Sequence, residues 1–347
     1  MEHTTSRCVD SEPLTPGMIT GLAVASAASF ASFVSILYLG GRVVVKYRQN
    51  VRYPPDEPWR LLRTDIDAYM LGALCAELIV SVGGLIDARW AITGQTTCGP
   101  TCDVQGALAQ VGITATSIFM IAIAVQTWLR AFMIRVKPYS SITWISVSVA
   151  TWGFVGLFAV IGWSLHPDFY EPAPLWCWIS AKYPLERLFG QYLVIWTCGV
   201  GNILVYVPLY LFSRGNLHYV GGPLDKRLKW TWTAQASGDE VMEEERSEAW
   251  KTLLYPLSYS FLVLGFSIVR WMSFQNPSLL DIQRPELAGM AAASLIFRII
   301  FRLSGVVTVG LVLLTRPNVL LHGVRGVLLP NDPRAVREYG LRQLGQS

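Results

Sequence analysis

Two arginines, Arg298 and Arg302, stand four residues apart in IFRIIFRLSG (296–305), inside an apolar run from Leu287 to Thr315. Glu77 sits midway along another apolar run. Ionised groups at such a depth in a bilayer are costly unless they face the protein interior, so all three are expected to point inward. Residues i and i+4 share a helix face, which lets both guanidinium groups meet one polar column. Three kinds of chemistry fit: an ion pair with Glu77 that fixes a resting state, a site for an anionic ligand, and a structural polar network. Depth points to Arg302 as the partner of Glu77. The two lie about 13 and about 11 residues from the inner ends of their helices, a few ångström apart in level at about 1.5 Å per residue. Arg298 is one turn further out, where it completes the network or faces a ligand cavity.

Other side chains near the outer ends of the runs could touch a ligand. Arg270 is about one turn from the end of its helix, where it can snorkel to the interface or contact a ligand. Trp163, Trp176, Trp178 and Trp271 gather near the same interface; they either line a site or anchor the chain at headgroup depth. No His-Glu-x-x-His, Gly-x-Ser-x-Gly or phosphate-cradling glycine loop occurs in the chain. Three of the four histidines lie outside the apolar runs and His322 follows the last one. An enzyme is therefore not expected, nor are a metal site, a cofactor or a nucleic-acid partner.

The elements that must position these groups are membrane helices. The 347-residue chain is 52% hydrophobic and 15% charged, with mean hydropathy +0.39, whereas soluble domains carry about 25% charged residues. A spanning helix needs about 20 apolar residues. Seven such runs are expected, at 17–45, 66–90, 104–136, 143–165, 184–212, 252–274 and 286–314. The fold class is thus an all-α membrane protein, a seven-transmembrane-helix bundle over residues 17–315. It is flanked by a short outer tail (1–16), a third cytosolic loop (213–251) and a cytosolic tail (316–347). The first sixteen residues are polar and Pro-containing, which does not fit a cleavable signal, so the first helix is expected to direct insertion.

Lysine and arginine set the orientation. Of 28 in the chain, twenty fall in the segments assigned to the cytosol, from Arg42 to Arg342. Five fall on the opposite side: Arg7, Arg89, Lys182, Arg187 and Arg284. The amino terminus is expected outside and the carboxy terminus in the cytosol, in a multi-pass protein of the plasma membrane. Cys8, Cys98, Cys102 and Cys177 then share the outer side, where disulfides form. Four cysteines allow three pairings. A bond from Cys102, at the opening of the third helix, to Cys177, in the loop after the fourth, would pin loop to helix. Cys8 with Cys98 is a second candidate pair, and free thiols in irregular loops are the alternative.

CDVQGALAQVG (102–112), the Trp-Cys-Trp of LWCWIS (175–180) and YPLSYSFLVLGFSIVRW (255–271), set on seven helices with an outside amino terminus, resemble fungal G-protein-coupled receptors. The resemblance is to the cAMP-receptor-like and glucose-sensing-type group and covers about residues 17–315. It implies a receptor that answers an outside signal, a nutrient in the glucose-sensing type, by driving nucleotide exchange on a heterotrimeric G protein, feeding the cAMP pathway. It also implies the Cys102–Cys177 bridge. The third helix, however, ends LRAFMIRVK without an Asp-Arg-Tyr type motif, and the seventh ends LLTRPNVLLHG without Asn-Pro-x-x-Tyr. The switches of the rhodopsin-like class cannot be carried over.

On the cytosolic face, Arg135, Lys137, Arg214, Lys226, Arg227 and Lys229 form the basic surface expected to meet the G protein. The basic cluster DKRLKW (225–230) precedes an acidic run, DEVMEEERSE (239–248); such a loop either docks a partner or stays solvated. Expected partners are the G protein, membrane lipid and an unknown small ligand bound within or over the bundle, and a homodimer is left open. None of the six lysines falls in the seventh helix, which excludes a retinal Schiff base. A small-solute transporter using the intramembrane Glu and Arg is the rival reading, although no internal repeat is apparent.

Overall fold

A computed structural model describes residues 8, 10–11, 13–52, 62, 64–132, 141–166, 168–173, 175–213, 217–220, 227–230, 254, 257–265, 267–268 and 288–315. Arg135, Lys137, Arg214, Lys226, Arg270, Trp271 and the 316–347 tail lie outside these residues. Arg227 and Lys229 fall on a short strand at the backbone level.

The first helix, α1 (Pro16–Arg52), opens with proline, whose missing N–H costs nothing at a helix start. One of its faces carries small residues, with Ala25, Ser29 and Ser32 all fully buried. Apolar side chains gain nothing by leaving lipid for another helix, so close packing of small residues is what holds such a face against its neighbours. The opposite face exposes Phe30, Val34 and Tyr38.

The second apolar run forms two helices instead of one. α2 (Asp65–Leu85) begins with a capping box, Thr64 Oγ1 accepting from the Asp67 N–H at 3.3 Å and Asp67 Oδ2 accepting from the Thr64 N–H at 2.8 Å. It stops at Ile86, after which α3 (Asp87–Thr93) runs to Gly94, whose φ of 69° suits glycine. The last apolar run is also interrupted, at Leu303, between α9 (Ala288–Arg302) and α10 (Ser304–Thr315).

α4 (Pro100–Phe132) is central and packs against α2, α5 (Ser141–Leu165) and α7 (Leu193–Ser213). It buries Phe119, Met120 and Ile123 together with polar Gln105, Thr114 and Ser117. α5 is a separate helix with Val149, Leu157 and Trp163 exposed on its outer face. Strands β1 (Tyr170–Ala173) and β2 (Trp176–Ile179) pair antiparallel, with Pro172 opposite Cys177, and rest on α4. The chain re-enters the bundle through α6 (Pro184–Arg187), a π turn (Leu188–Tyr192) and α7, which contains Pro208. A second hairpin pairs β3 (Leu217–Val220) with β4 (Arg227–Trp230). Residues 257–265 are helical (α8), as are residues 267–268.

Among the described residues, six helical stretches have the length and composition to cross a membrane: Pro16–Arg48, Asp65–Thr93, Pro100–Leu129, Ile142–Leu165, Pro184–Leu211 and Ala292–Leu314. The chain is an all-α, multi-pass membrane protein. Its polar chemistry gathers where the two interrupted helices meet, near the end of the bundle that carries the disulfides.

Candidate functional site

Both disulfides are formed. Cys102 and Cys177 join α4 to β2 with their Cα atoms 5.2 Å apart, and Cys8 joins Cys98 at 6.1 Å. The second bond ties the amino-terminal segment over the α3–α4 loop. Backbone bonds from Ser11 N to Thr96 O (2.9 Å) and from Leu14 N to Gly94 O (2.8 Å) reinforce it. The β1–β2 hairpin is thereby held against the bundle end, and every residue of β2 is buried.

Outside the membrane segments, Glu171 accepts hydrogen bonds from Ser180 Oγ and Lys182 Nζ. That bond holds the exposed Lys182 ammonium above its usual range. Burial, with the charge of Asp103 adding to it, pushes the Tyr170 phenol far up. Tyr170 therefore stays protonated and donates to Gln110 Oε1 at 2.6 Å.

Directly under β2 lies a buried charge cluster. Arg298 donates to Asp87 Oδ1 at 2.6 Å and Arg302 to Asp87 Oδ2 at 3.3 Å. Arg302 also donates to the Val80 carbonyl at 3.1 Å. Gly84 makes room for it: a Cβ there would stand 3.0 Å from Arg302 Cζ. Gln105 is the hub, donating to Asp87 Oδ1 at 2.7 Å and accepting from Trp90 Nε1 at 2.8 Å and from the Cys177 N–H at 2.9 Å. The Arg298 guanidinium lies 4.1 Å from the centre of the Trp176 ring, a cation–π contact.

The interruptions explain why these groups can meet. A helix break frees backbone carbonyls that lipid cannot satisfy, so side chains must. Ser32 Oγ donates to Arg302 O at 2.6 Å, on the edge of the Leu303 break. Ser304, the first residue beyond it, donates to Glu77 Oε2 at 2.5 Å. A continuous path of hydrogen bonds therefore runs from the β2 backbone through Gln105, Asp87 and Arg302 to the junction of α9 and α10, where Glu77 holds the other side.

The two arginines share a polar column, but the expected direct pair between Glu77 and Arg302 is replaced by Asp87. The cause is the direction of the side chains. In a helix each Cα–Cβ bond tilts toward the amino terminus, and α2 and α9 run in opposite directions. Arg302 thus leans toward the hairpin and Glu77 leans away from it. Sequence reasoning does not single out Asp87 or the role of Gln105; the paired glycines Gly83 and Gly84, just ahead of the third acid in that run, are the signal that could have marked them. Trp176 and Trp178 are 3% and 4% exposed on β2, packed inside the protein, whereas Trp163 is 63% exposed.

A larger apolar cleft of about 320 Å³ opens in the other half of the bundle between α1, α2 and α10. Asp67 and Cys75 apart, its lining is hydrocarbon and glycine backbone, so it offers dispersion contacts and little directional recognition. The chemistry lies in the smaller, polar cavity beneath β2.

No family model matches the sequence. The chain is similar to the ascaroside receptor GPR2 of the fungus Arthrobotrys oligospora, at 25% identity over 159 residues. The match covers 44% of this chain and 38% of that protein. It therefore spans well under half the length of its curated relative.

Proposed function

We propose that this protein is a seven-helix G-protein-coupled receptor of the plasma membrane, with its amino terminus outside and its carboxy terminus in the cytosol. It senses an extracellular small ligand and activates a heterotrimeric G protein that feeds the cAMP pathway. The observation that carries this reading is the path from a disulfide-pinned hairpin to a helix break. A ligand that shifts β2 would pull on the Cys177–Gln105 and Trp176–Arg298 contacts, and so would bias the α9–α10 junction. The similarity to a fungal receptor supports the same reading. Basic residues of the segments expected in the cytosol, Arg135, Lys137, Arg214, Lys226, Arg227 and Lys229, would meet the G protein.

A second reading is a small-solute transporter, favoured by two interrupted helices meeting at buried charges, an arrangement transporters use to build their sites. Nucleotide exchange on a panel of purified G proteins by the reconstituted protein separates the two. The measurement is made with and without sugars, nucleotides, lipids and an ascaroside. Ligand-dependent exchange is expected; no exchange, together with solute flux into proteoliposomes, would replace the receptor with the transporter. Orientation is tested separately. A tag at residue 3 should label on intact cells and a tag after Ser347 only after permeabilisation.

A further inference from the structure

Beneath β2 is a cavity of about 10 Å³, room for one water-sized atom, walled by Gln105, Trp176, Trp178, Arg298, Phe301 and Arg302 among others. Its polar lining is rich in donors. Trp178 Nε1 and Arg302 Nε are buried and have no hydrogen-bond partner among the described residues, and the two residues are 4% and 5% exposed. The one side-chain oxygen in the wall, Gln105 Oε1, already accepts from both Trp90 and the Cys177 backbone. Both guanidinium groups donate to the Asp87 carboxylate, and Ser304 donates to Glu77.

Such surroundings select what can enter. A water molecule would answer the orphan donors but turn its own two hydrogens toward groups that also donate. An anion brings acceptor capacity alone, which is what the orphan donors Trp178 Nε1 and Arg302 Nε call for. We propose that the cavity is a binding site for one small anion of halide size, held by Trp178 Nε1 and the Arg302 guanidinium with Arg298 alongside. The bound anion bridges β2 to α9 and so strengthens the hold of the hairpin on the charge cluster. The proposal stands on the cavity alone and does not require that the protein signal.

The test uses the full chain purified in detergent in sodium gluconate, with chloride or bromide replacing gluconate at constant sodium and ionic strength. Chloride should raise Tm saturably by about 2 °C or more, as expected for a ligand bound by the folded state alone. In Trp178→Phe, which keeps an aromatic ring but removes the donor, that rise should be lost. Crystals of the unaltered protein grown in bromide should give an anomalous peak within hydrogen-bond distance of Trp178 Nε1, a readout that needs no variant. Identical melting in chloride and gluconate, an unchanged chloride shift in Trp178→Phe, or an ordered water at the site with no bromide signal would each overturn the proposal.

Discussion

Asp87 and Arg298, 211 positions apart in the chain, meet at 2.6 Å with both side chains buried. Asp87 also receives Arg302 and Gln105, so one carboxylate answers two cations and an amide. The three donors come from α4 and α9, and the acceptor sits on the first residue of α3. Three helices are thus tied at a single side chain.

Unequal costs follow from that geometry. Asp87→Asn removes the carboxylate to which both buried guanidinium groups donate and should cost about 3–5 kcal/mol. Arg298→Gln leaves Asp87 still bonded to Arg302 and Gln105 and should cost less, about 1–3 kcal/mol. The double variant should recover part of the loss, with a coupling energy of about 1 kcal/mol or more, larger than the coupling between Glu77→Gln and Arg302→Gln, which share no direct hydrogen bond. Thermal unfolding in detergent measures both cycles. A larger coupling for Glu77 and Arg302 than for Asp87 and Arg298 would show that the cluster is wired differently.

The apolar runs, the inward arginines and the four cysteines on one side could be read from residue type and spacing. Which acid the arginines meet could not. Counting residues from helix ends places Cα atoms at a depth, but a guanidinium reaches several ångström beyond its Cα, and antiparallel helices lean their side chains in opposite senses. The breaks at Ile86 and Leu303 were hidden for a related reason. Apolar periodicity is blind to an interruption whose freed carbonyls are satisfied by distant side chains, here Ser26 on Leu85 and Ser32 on Arg302. Gln105 in CDVQGALAQVG carried the resemblance to receptors, yet its role as hub depends on three partners from separate segments: Trp90, Asp87 and Cys177.

Gln105 should therefore be poorly replaceable. Gln105→Leu keeps the volume but strands the Trp90 indole N–H and the Cys177 backbone N–H, each a buried donor worth about 1–3 kcal/mol when unmet. Gln105→Glu keeps the acceptor but sets a second carboxylate against Asp87, and should also destabilise. Ligand-independent melting of the two variants checks this. A Gln105→Leu protein as stable as the parent would mean that Gln105 adds nothing to the hold on the hairpin given by the disulfide, the Tyr170–Gln110 bond and the Arg298–Trp176 contact.

The Cys102–Cys177 bond closes a loop with a sequence separation of 75, so its loss should cost about 4 kcal/mol by chain entropy. Cys102→Ser and Cys177→Ser should each lower surface delivery and Tm. The double variant should be no worse than either single one, because the bond is already absent. Mass spectrometry of the folded protein should find neither thiol free; alkylation of either one would contradict the bridge.

The junction of α9 and α10 offers the sharpest link between packing and signalling. Ser304 Oγ reaches Glu77 Oε2 at 2.5 Å on one side of the break, and Ser32 Oγ reaches Arg302 O at 2.6 Å on the other. Both bonds are buried, and lipid can replace neither. Ser304→Ala removes a donor from a carboxylate whose other oxygen, Oε1, has no hydrogen-bond partner among the described residues, so the loss should be about 1–3 kcal/mol. If the proposed receptor switches by moving α10 against α2, that loss falls mainly on the resting arrangement. Basal nucleotide exchange should then rise about 5-fold or more, in line with 1 kcal/mol of population shift. Ser304→Thr retains the hydroxyl and should stay close to the parent in both melting temperature and basal exchange. The informative failure is Ser304→Ala with a lowered Tm and unchanged basal exchange: the clamp would then support the fold without gating it, and the coupling between hairpin and G protein would have to run through α4 and α7.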